Sequence, residues 1–394
     1  MNRQYEDRFA KTGAKIGTAL NIRLPSKYTV RTGANFSGQD HVERSVPFNL
    51  SSQYGVDVSF TTVERTMSLD DFSKRILTPA MAQLAAKIEG DALAVAYKSV
   101  ANYTNATTDT KLTYAYFHQN GRNLTEQLAP PSDRTAILTP ASSVEFMDAT
   151  KSLFHAQQNL NAQFREGRLG QTAGFDVYEN TLLPSHTTGA TIGASCVTTG
   201  TALGTSTTAN TWVSQTTMSI TAATSNGSFT AGDIVTFSGI AEIHPETKAN
   251  TGRLKRFVVQ TAVTCTTSSN TYNLVVAPGV IYGSGNAFQN CALSGVSDTS
   301  GLTVTRIGAA STAFGQDLFY HTDAFVFGTA DLEDVSAYGA ECSRAQMDGL
   351  SLRWVQQYNA AYDTVVGRFD ILWGFAPLYP ELASRHLYTR SLVA

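Results

Sequence analysis

The stretch from Ser68 to Tyr103 constrains the fold most, because its apolar residues recur mostly three or four positions apart. That spacing places them on one face of a helix. Ser68 and Asp71 can form a capping box at its start, and Pro79 predicts a kink or the start of a second helix. From Pro79 onward such a helix would be about 37 Å long at 1.5 Å per residue, which few compact domains need. An ordinary core helix is the alternative interpretation. The predicted buried face comprises Phe72, Ile76, Leu77, Met81, Leu84, Ile88, Ala92 and Val95.

Composition places the chain among folded proteins with two or three cores. It has 394 residues, 42% of them hydrophobic, and a formal net charge of −3, which is typical of a folded chain and not of a disordered one. The four cysteines, Cys196, Cys265, Cys291 and Cys342, lack any metal-binding spacing and are predicted to be free thiols. No signal peptide and no membrane span are predicted.

Charge is unevenly distributed along the chain. Residues 1–31 carry seven Lys or Arg side chains and two acidic ones, so the rest of the chain is acidic. A basic arm on an acidic body can contact nucleic acid or the acidic face of a neighbouring copy. The composition favours neither partner over the other.

The residues before the helix predict a long hairpin. Alternating apolar residues indicate strands at Thr18–Arg23, Val46–Leu50 and Val56–Phe60, with a loop at Gly33–Asp40. An isolated two-stranded hairpin is marginally stable in water. We therefore expect it to lie on another part of this subunit or on another subunit.

The residues after the helix predict a short strand followed by a second helix. Thr135–Thr139 reads as the strand, and Pro140 can occupy the first position of a helix that continues to about Gln157. Gly174–Asn180 is typical of a turn that leads into a strand. The buried side of the helix is predicted to carry Val144, Met147, Ala149 and Phe154.

A charge-poor block then predicts a separate all-β domain. Residues 180–297 contain seven charged side chains, and none occurs between Glu179 and Asp233. Short strands with Ser, Thr, Gly and Asn turns indicate a small antiparallel barrel or sandwich. The predicted strands are Trp212–Ile220, Asp233–Phe237, Phe257–Thr264, Tyr272–Val276 and Leu302–Arg306. Ile240–Arg256 holds most of the charge of this block and is predicted to be an exposed loop. Further strands are predicted at Phe325–Phe327, Leu350–Tyr358 and Thr364–Phe375.

Two groups of residues are candidates for chemistry. Glu242, His244 and Glu246 alternate, so on a strand they could bind a metal. Asp317, His321 and Asp323 could act as acids and bases. In both groups the favoured interpretation is structural, namely a solvated loop for the first and satisfied backbone groups for the second. No phosphate-binding loop, nucleophile elbow or zinc-protease motif is present, so we predict no enzyme activity, no metal and no cofactor.

The order of these parts resembles the major capsid proteins of tailed phages, which share the Hong Kong ninety-seven type fold. The resemblance is strongest to the Salmonella podophage (P-twenty-two) coat protein branch, which carries an inserted domain. No single motif is diagnostic, but their order extends over nearly the whole chain. The matching segments are Gly13–Gly17, Ile22–Pro25, Thr29–Ala34, Ser68–Phe72 with Arg75 and Pro79, Ile137–Pro140, Gly174–Asn180 and Ala231–Ile240.

The resemblance implies an α+β capsid fold with a long spine helix, an extended β-hairpin loop, axial and peripheral domains, and an inserted all-β barrel domain. The implied segments are an N-terminal arm at 1–15, the extended loop at 16–66, the peripheral domain with the spine helix at 67–127, the axial domain at 128–185, the inserted domain at 186–308, and the return through both domains at 309–394.

The resemblance also implies a function. Copies would assemble as pentamers and hexamers into an icosahedral shell around a double-stranded DNA genome, bound without sequence specificity. Scaffolding and portal proteins would be partners, a decoration protein could be another, and the shell would assemble in the host cytoplasm without a membrane. The expected inter-subunit contacts are Arg31, Phe36, Asp40, Glu43, Arg44, Glu246, Lys248 and Arg253. An encapsulin-like cellular compartment is the alternative, and a soluble enzyme with a β-domain is a third class.

Two departures from the family pattern limit what the resemblance implies. The loop tip Gly33–Asp40 contains no lysine, so a lysine cross-link there is not expected. The segment Gly200–Thr211, where relatives pair charges across a two-fold axis, contains no charged residue. Any contact there must be weaker or made in another way.

Overall fold

The fold is mixed α+β. The computed structural model describes residues 2–5, 19–36, 38–39, 41–50, 52–63, 78–104, 112–150, 170–193, 196–200, 204, 210–222, 226–347 and 350–389. Three α-helices lie wholly within these ranges: α1 (Thr78–Ser99), α2 (Tyr114–Glu126) and α3 (Pro140–Thr150). Short 3-10 turns occur at Thr322–Ala324, Ser336–Tyr338 and Pro380–Leu382. None of the helices within these ranges is long and apolar enough to cross a bilayer.

Strands make up most of the regular structure. In chain order they are β1 (Asn2–Tyr5), β2 (Ala19–Leu24), β3 (Arg44–Asn49), β4 (Ser52–Thr61), β5 (Tyr103–Thr104), β6 (Arg134–Leu138), β7 (Gln171–Thr172), β8 (Phe175–Glu179), β9 (Ser185–Thr187), β10 (Val197–Thr198), β11 (Thr216–Thr221), β12 (Gly227–Phe229), β13 (Ile234–Ile243), β14 (Asn250–Val259), β15 (Val263–Cys265), β16 (Thr271–Ala277), β17 (Cys291–Leu293), β18 (Val304–Arg306), β19 (Ala313–His321), β20 (Phe325–Ala330), β21 (Glu341–Met347), β22 (Leu350–Asn359), β23 (Thr364–Pro377) and β24 (Ala383–Thr389).

The chain divides into two compact units. The first unit comprises Met1–Ile22, Ser45–Val95 and Phe325–Leu378, and the second comprises Arg23–Arg44, Ala96–Ala324 and Tyr379–Ala394. The second unit contains the charge-poor block that composition predicts to be a separate domain. Strands β2 and β3 form a two-stranded sheet, as the predicted hairpin requires.

The first unit is built on a sheet of strand order β1-β20-β23-β22-β21, with β4 also paired to β23. Strands β4 and β23 run antiparallel from the Ser52–Trp373 pair to the Thr61–Thr364 pair. The core packs α1 against this sheet, and its buried members are Leu84, Ile88, Ala92, Phe327, Phe369, Ile371 and Trp373.

Helix α1 confirms part of the predicted spine helix. Its 22 residues extend about 33 Å, and Leu84, Ile88 and Ala92 are buried as the periodicity predicts. Val95 is 46% exposed, so the prediction for that residue is wrong. The capping box at Ser68 lies outside the described residues.

The second unit contains a mixed sheet of strand order β5-β24-β19-β6-β8-β7, with β9 also paired to β19. Strands β19 and β24 are antiparallel, whereas β6 and β8 are parallel. Phe319 on one face of β19 packs with Phe117 of α2 and Phe146 of α3. On the other face Phe314 packs with Ile234 of β13. Both faces of this sheet are therefore covered by other parts of the unit. A strand that is buried on both faces lacks the alternation of apolar and polar residues that marks a half-exposed strand. This is why the sequence does not predict β24.

The charge-poor block, which together with β18 is called the β domain below, is an antiparallel β structure, as predicted. Its strand order is β10-β11-β16-β14-β13-β17, with β18 paired to β13, and β12 pairs separately with β15. Its core includes Phe229, Phe237 and Phe257, all at most 1% exposed. The sequence Ile240–Arg256, predicted to be an exposed loop, instead forms most of the β13–β14 hairpin around a turn at residues 244–249. That prediction is wrong because Glu242 and Lys255 are charged but buried, at 4% and 9% exposure.

Helix α3 begins at Pro140 as predicted but buries a different face. The buried residues are Ser142, Ser143, Phe146 and Thr150, whereas Val144 is 63% exposed and Ala149 is also exposed. The Phe146 ring lies 4.8 Å from the Phe117 ring, and this aromatic contact fixes the orientation of the helix. Phe154 lies outside the described residues.

The N-terminal arm contains a strand that the sequence does not predict. Residues Asn2–Tyr5 form β1 and pair in parallel with Val326–Thr329 of β20. Strand β21 is likewise not predicted, because its sequence is largely polar and exposed. Neither strand has an apolar periodicity; each is stabilised by hydrogen bonding to its neighbour in the sheet.

Candidate assembly surfaces

The connection between β2 and β3 exposes large apolar side chains. Val30 is 96% exposed, Phe36 is 90% exposed and Tyr28 is 62% exposed. Neighbouring exposed apolar residues mark interaction sites, whereas single ones are common on any surface. This connection, residues 25–43, lies within the segment 16–66 that the resemblance implies to be an extended loop. It is called the extended loop below, and it is the first candidate surface for contact with another copy.

Polar contacts within the extended loop hold it in a hairpin shape. The Thr29 amide donates to Gln39 Oε1 at 2.8 Å, and Gln39 Nε2 donates back to the Thr29 carbonyl at 2.5 Å. Tyr28 and His41 are joined by a 3.0 Å hydrogen bond. The loop is therefore ordered by its polar groups, while its apolar groups face solvent.

Three of the residues predicted to contact another subunit are exposed on the extended loop. Arg31 is exposed and donates to the Gly33 carbonyl, and Glu43 is exposed and pairs with Arg23 at 3.4 Å. Phe36 is exposed as described, and Asp40 lies outside the described residues.

Arg44 at the root of the loop is buried, with 6% exposure. Its Nε and Nη2 atoms donate to the Pro25 carbonyl at 3.2 and 2.8 Å, and its guanidinium lies 5.4 Å from the centroid of the Phe288 ring. The observed partners of Arg44 belong to its own chain and include the β domain. Its role between subunits stays a prediction.

The turn between β13 and β14 holds two further predicted contact residues. Glu246 is exposed. Lys248 is half-buried with φ of +58°, and its Nζ donates to the carbonyls of Ala287 and Gln289 at 3.1 and 2.9 Å. Burial, and to a smaller extent the charge of Lys27, lowers the pKa of Lys248 to about 8.

A cleft of about 300 Å³ lies between the end of α2 and the β13–β14 hairpin. Buried Glu242 lies there, with Arg253 at 3.2 Å, Lys255 at 3.8 Å and Gln127 at 2.9 Å. Arg253 also pairs with Glu126 of α2 at 2.6 Å. This charge network joins α2 to the β domain within the chain, so Arg253 already has two acidic partners.

The proposed metal ligands do not form a metal site. Glu242 is neutralised by cations, and His244 Nδ1 accepts the amides of Glu246 and Thr247 at 3.3 and 3.2 Å. Over the part of the chain that the structure describes, no group of three or more His, Cys, Asp or Glu side chains could hold a metal ion. The four cysteines are free thiols, as predicted.

The structure brings together two members of the proposed acid–base group, since His321 Nδ1 lies 3.6 Å from Asp323 Oδ2, whereas Asp317 lies apart from them. Asp317 and His321 are four residues apart on β19, which corresponds to about 13 Å along a strand. Asp317 Oδ1 accepts the Thr139 amide at 2.9 Å, and His321 Nδ1 accepts the Asp323 amide at 3.2 Å. These contacts agree with the structural interpretation, in which the side chains satisfy backbone groups.

A buried ionic cluster where the β domain joins the mixed sheet is not predicted from the sequence. Asp233 is 1% exposed and its Oδ1 lies 2.8 Å from His186 Nε2. Fully buried Arg385 donates through Nη2 to the Gly232 carbonyl at 3.1 Å, and burial lowers its pKa to about 10. Gly232 has φ of +104°, and a Cβ there would lie 3.2 Å from the Tyr97 ring. One feature of the sequence could have indicated this cluster: Asp233 is the first charged residue after Glu179.

Comparisons with known proteins identify the family. The family description "P22 coat protein - gene protein 5" matches residues 17–388. No curated protein sequence matches the chain. Among solved structures, the capsid of Ralstonia phage GP4 has a TM-score of 0.48 with 8% identity, over 100% of this chain and 88% of that chain.

Two further solved structures are similar to this chain. The capsid of Cyanophage P-SCSP1u has a TM-score of 0.47 with 11% identity, over 99% of this chain and 90% of that chain. The CUS-3 coat protein I-domain has a TM-score of 0.22 with 14% identity, over 30% of this chain and 98% of that domain. Because the family description covers nearly the whole length, the chain belongs to the P22 coat protein family and is a phage major capsid protein.

Proposed function

We propose that copies of this capsid protein, arranged as pentamers and hexamers, close into an icosahedral shell around double-stranded DNA. The observation that carries the proposal is the family match over residues 17–388. Scaffolding and portal proteins are the expected partners during assembly in the host cytoplasm, and a decoration protein is a further one. The basic N-terminal residues would contact the genome without sequence specificity, through phosphate charge and therefore in a salt-dependent way.

The extended loop is the proposed contact with the neighbouring copy. Burying a fully exposed Phe or Val side chain contributes about 1.5–3 kcal/mol, and Phe36 and Val30 are both at least 90% exposed. Every copy in a shell would use the same contact. Many modest contributions then sum to a stable assembly, because each copy is held by several neighbours at once.

The proposed segment boundaries follow the resemblance. The proposed limits are 16–66 for the whole extended-loop segment, 67–127 for the peripheral domain with the spine helix, 128–185 for the axial domain and 186–308 for the inserted domain. Support for the inserted domain comes from its own antiparallel sheet and its own core of buried residues. The comparisons give no support to the cellular compartment alternative.

Negative-stain microscopy of the purified protein, with and without its neighbouring phage proteins, tests the proposal. We expect closed shells of uniform size that protect double-stranded DNA from nuclease after packaging. Shells that enclose an enzyme and no DNA would favour the compartment. Persistent monomers under both conditions would contradict a shell role.

Replacing Phe36 by aspartate is expected to raise the protein concentration needed for shell assembly by roughly ten- to a hundredfold, which corresponds to about 1.5–3 kcal/mol per contact. The melting temperature of the unassembled chain should not change, because Phe36 is 90% exposed. Light scattering during assembly measures the first quantity, and calorimetry measures the second.

Two matched variants control for this experiment. Phe36→Leu keeps an apolar side chain and should assemble nearly as the unchanged protein does. Glu43→Gln alters a charge in the same loop and should have a small effect, because exposed ion pairs contribute little. Normal assembly of Phe36→Asp would show that the loop tip is not an assembly contact.

A further inference from the structure

The direction of the extended loop is not set by its own strands. Among the described strands, β2 and β3 pair with each other and belong to none of the larger sheets. A two-stranded hairpin on its own is marginally stable in water. Residues Arg23–Arg44 nevertheless belong to the same compact unit as the β domain. The direction of the loop therefore depends on contacts between the loop and this unit.

Arg44, the first residue of β3, makes such a contact. Its side chain is buried, and its Nε and Nη2 atoms donate to the carbonyl of Pro25, the residue that follows β2, at 3.2 and 2.8 Å. Its guanidinium also lies over the Phe288 ring, 5.4 Å from the centroid. A cation and an aromatic face attract each other within about 6 Å. Arg44 therefore joins both ends of the extended loop to one aromatic ring of the β domain.

Phe288 lies in a turn that hydrogen bonds fix to the rest of the β domain. The Phe288 amide donates to Asn286 Oδ1 at 2.9 Å. Lys248 Nζ donates to the carbonyls on either side of Phe288, those of Ala287 and Gln289, at 3.1 and 2.9 Å. The Phe288 side chain is itself buried. The ring is therefore a fixed support for the root of the extended loop.

A second arginine at the root of the loop lacks such a support. The Arg23 side chain is 77% exposed and pairs at 3.4 Å with Glu43, which is also exposed. Exposed ion pairs contribute little to stability, whereas a cation–π contact becomes stronger when it is removed from water. Of these two arginines, Arg44 is the one that can fix the direction of the loop.

We propose that the β domain sets the direction of the extended loop through Arg44, which acts as a positioning residue for the contact with the neighbouring copy. This inference rests on the proposed assembly role of the loop and adds a function for the β domain within each subunit. A loop that is already held in one direction loses less conformational freedom when it binds. The Arg44–Phe288 contact thus favours assembly from inside the subunit.

Pulsed electron spin resonance measures the direction of the loop in the unassembled full-length chain. Spin labels at Ala34→Cys in the loop and Leu254→Cys in the β domain, both exposed, report one distance. A Cys342→Ser background is used, because the other three cysteines are buried. We expect a narrow distance distribution that Arg44→Met and Phe288→Leu each broaden. The double variant should broaden it no further, because both substitutions remove the same contact.

Light scattering during assembly measures the consequence for the shell. Arg44→Met and Phe288→Leu should each raise the protein concentration needed for assembly by about three- to tenfold, because fewer copies then hold the loop in the direction that binds. Arg44→Lys keeps the positive charge and should recover part of both effects. Arg23→Met is the matched control and should change neither the distance distribution nor the assembly concentration.

The two measurements separate this proposal from the assembly role of the loop. A narrow distribution in both single variants would overturn the proposal, whatever they do to assembly. Broadening without any change in assembly, while Phe36→Asp impairs assembly, would overturn it as well. Normal assembly of Phe36→Asp would instead contradict the assembly role of the loop. Calorimetry checks that each variant folds, and Arg44→Gln and Phe288→Met replace any first choice that does not.

Discussion

Asp233→Ala is expected to lower the free energy of unfolding by about 3–5 kcal/mol, because it leaves buried polar groups without their partner. Asp233 Oδ2 accepts the amides of Thr230 and Gly189 at 2.8 and 3.2 Å, and Oδ1 lies 2.8 Å from His186 Nε2. The Asp233 carboxylate thus joins the segment at Gly189, which follows β9, to the turn at Thr230, which precedes β13. Alanine supplies none of these acceptors, and water cannot replace them at a residue that is 1% exposed.

Denaturant unfolding of the unassembled chain, followed by circular dichroism, measures this loss. Glu246→Gln is the matched control in the same unit, because Glu246 is exposed and should change stability by less than about 0.5 kcal/mol. A double-mutant cycle with His186→Gln should show a coupling energy of about 0.5–3 kcal/mol. Near-normal stability of Asp233→Ala would mean that the cluster does not stabilise this junction.

Asp370→Asn is expected to destabilise the first unit by a similar amount, about 3–5 kcal/mol. Asp370 is fully buried and accepts Arg353 Nη2 at 2.7 Å and Arg368 Nη2 at 2.7 Å. Its strand neighbour across the sheet is Gly55, where a Cβ would lie 2.7 Å from Asp370 Oδ1. Gly55 on β4 therefore leaves room for the Asp370 carboxylate. An asparagine at position 370 would leave the largely buried guanidinium of Arg353 without a counter-charge.

The effect of Asp370→Asn on stability should depend on pH in a defined direction. Burial by itself would raise the pKa of Asp370, but the hydrogen bonds from Arg368 and Arg353 outweigh it and hold the pKa below its usual range. A carboxyl group with a lowered folded-state pKa stabilises the fold above its unfolded pKa of about 3.9 and loses that contribution as pH falls through the folded pKa. The stability difference between the unchanged protein and Asp370→Asn should therefore shrink in strong acid.

Asp57→Asn is the matched control for Asp370→Asn. Asp57 lies 3.9 Å from the same Arg368, but its side chain is 83% exposed, and exposed ion pairs contribute about 0–1 kcal/mol. Chemical denaturation at neutral pH compares the two variants directly. Equal effects of the two substitutions would contradict the importance assigned to the buried carboxylate.

The sequence predicts the elements whose pattern is local. The periodicity of Leu84, Ile88 and Ala92 predicts α1, the proline at residue 140 predicts the start of α3, and the loss of charge after Glu179 predicts the β domain. The loop at Gly33–Asp40 is predicted as well, from its glycines and polar residues. These features depend on neighbouring residues, so the order of residues is sufficient to find them.

Only the tertiary structure decides which groups are buried together. Helix α3 turns Phe146 inward and Val144 outward because Phe117 is its partner, and β24 is covered on both faces and so has no readable alternation. Asp233 contacts His186 and Arg353 contacts Asp370, although neither pair is adjacent in the sequence. The energy of a charged group depends on burial and on its counter-charge, and neither is a property of neighbouring residues in the sequence.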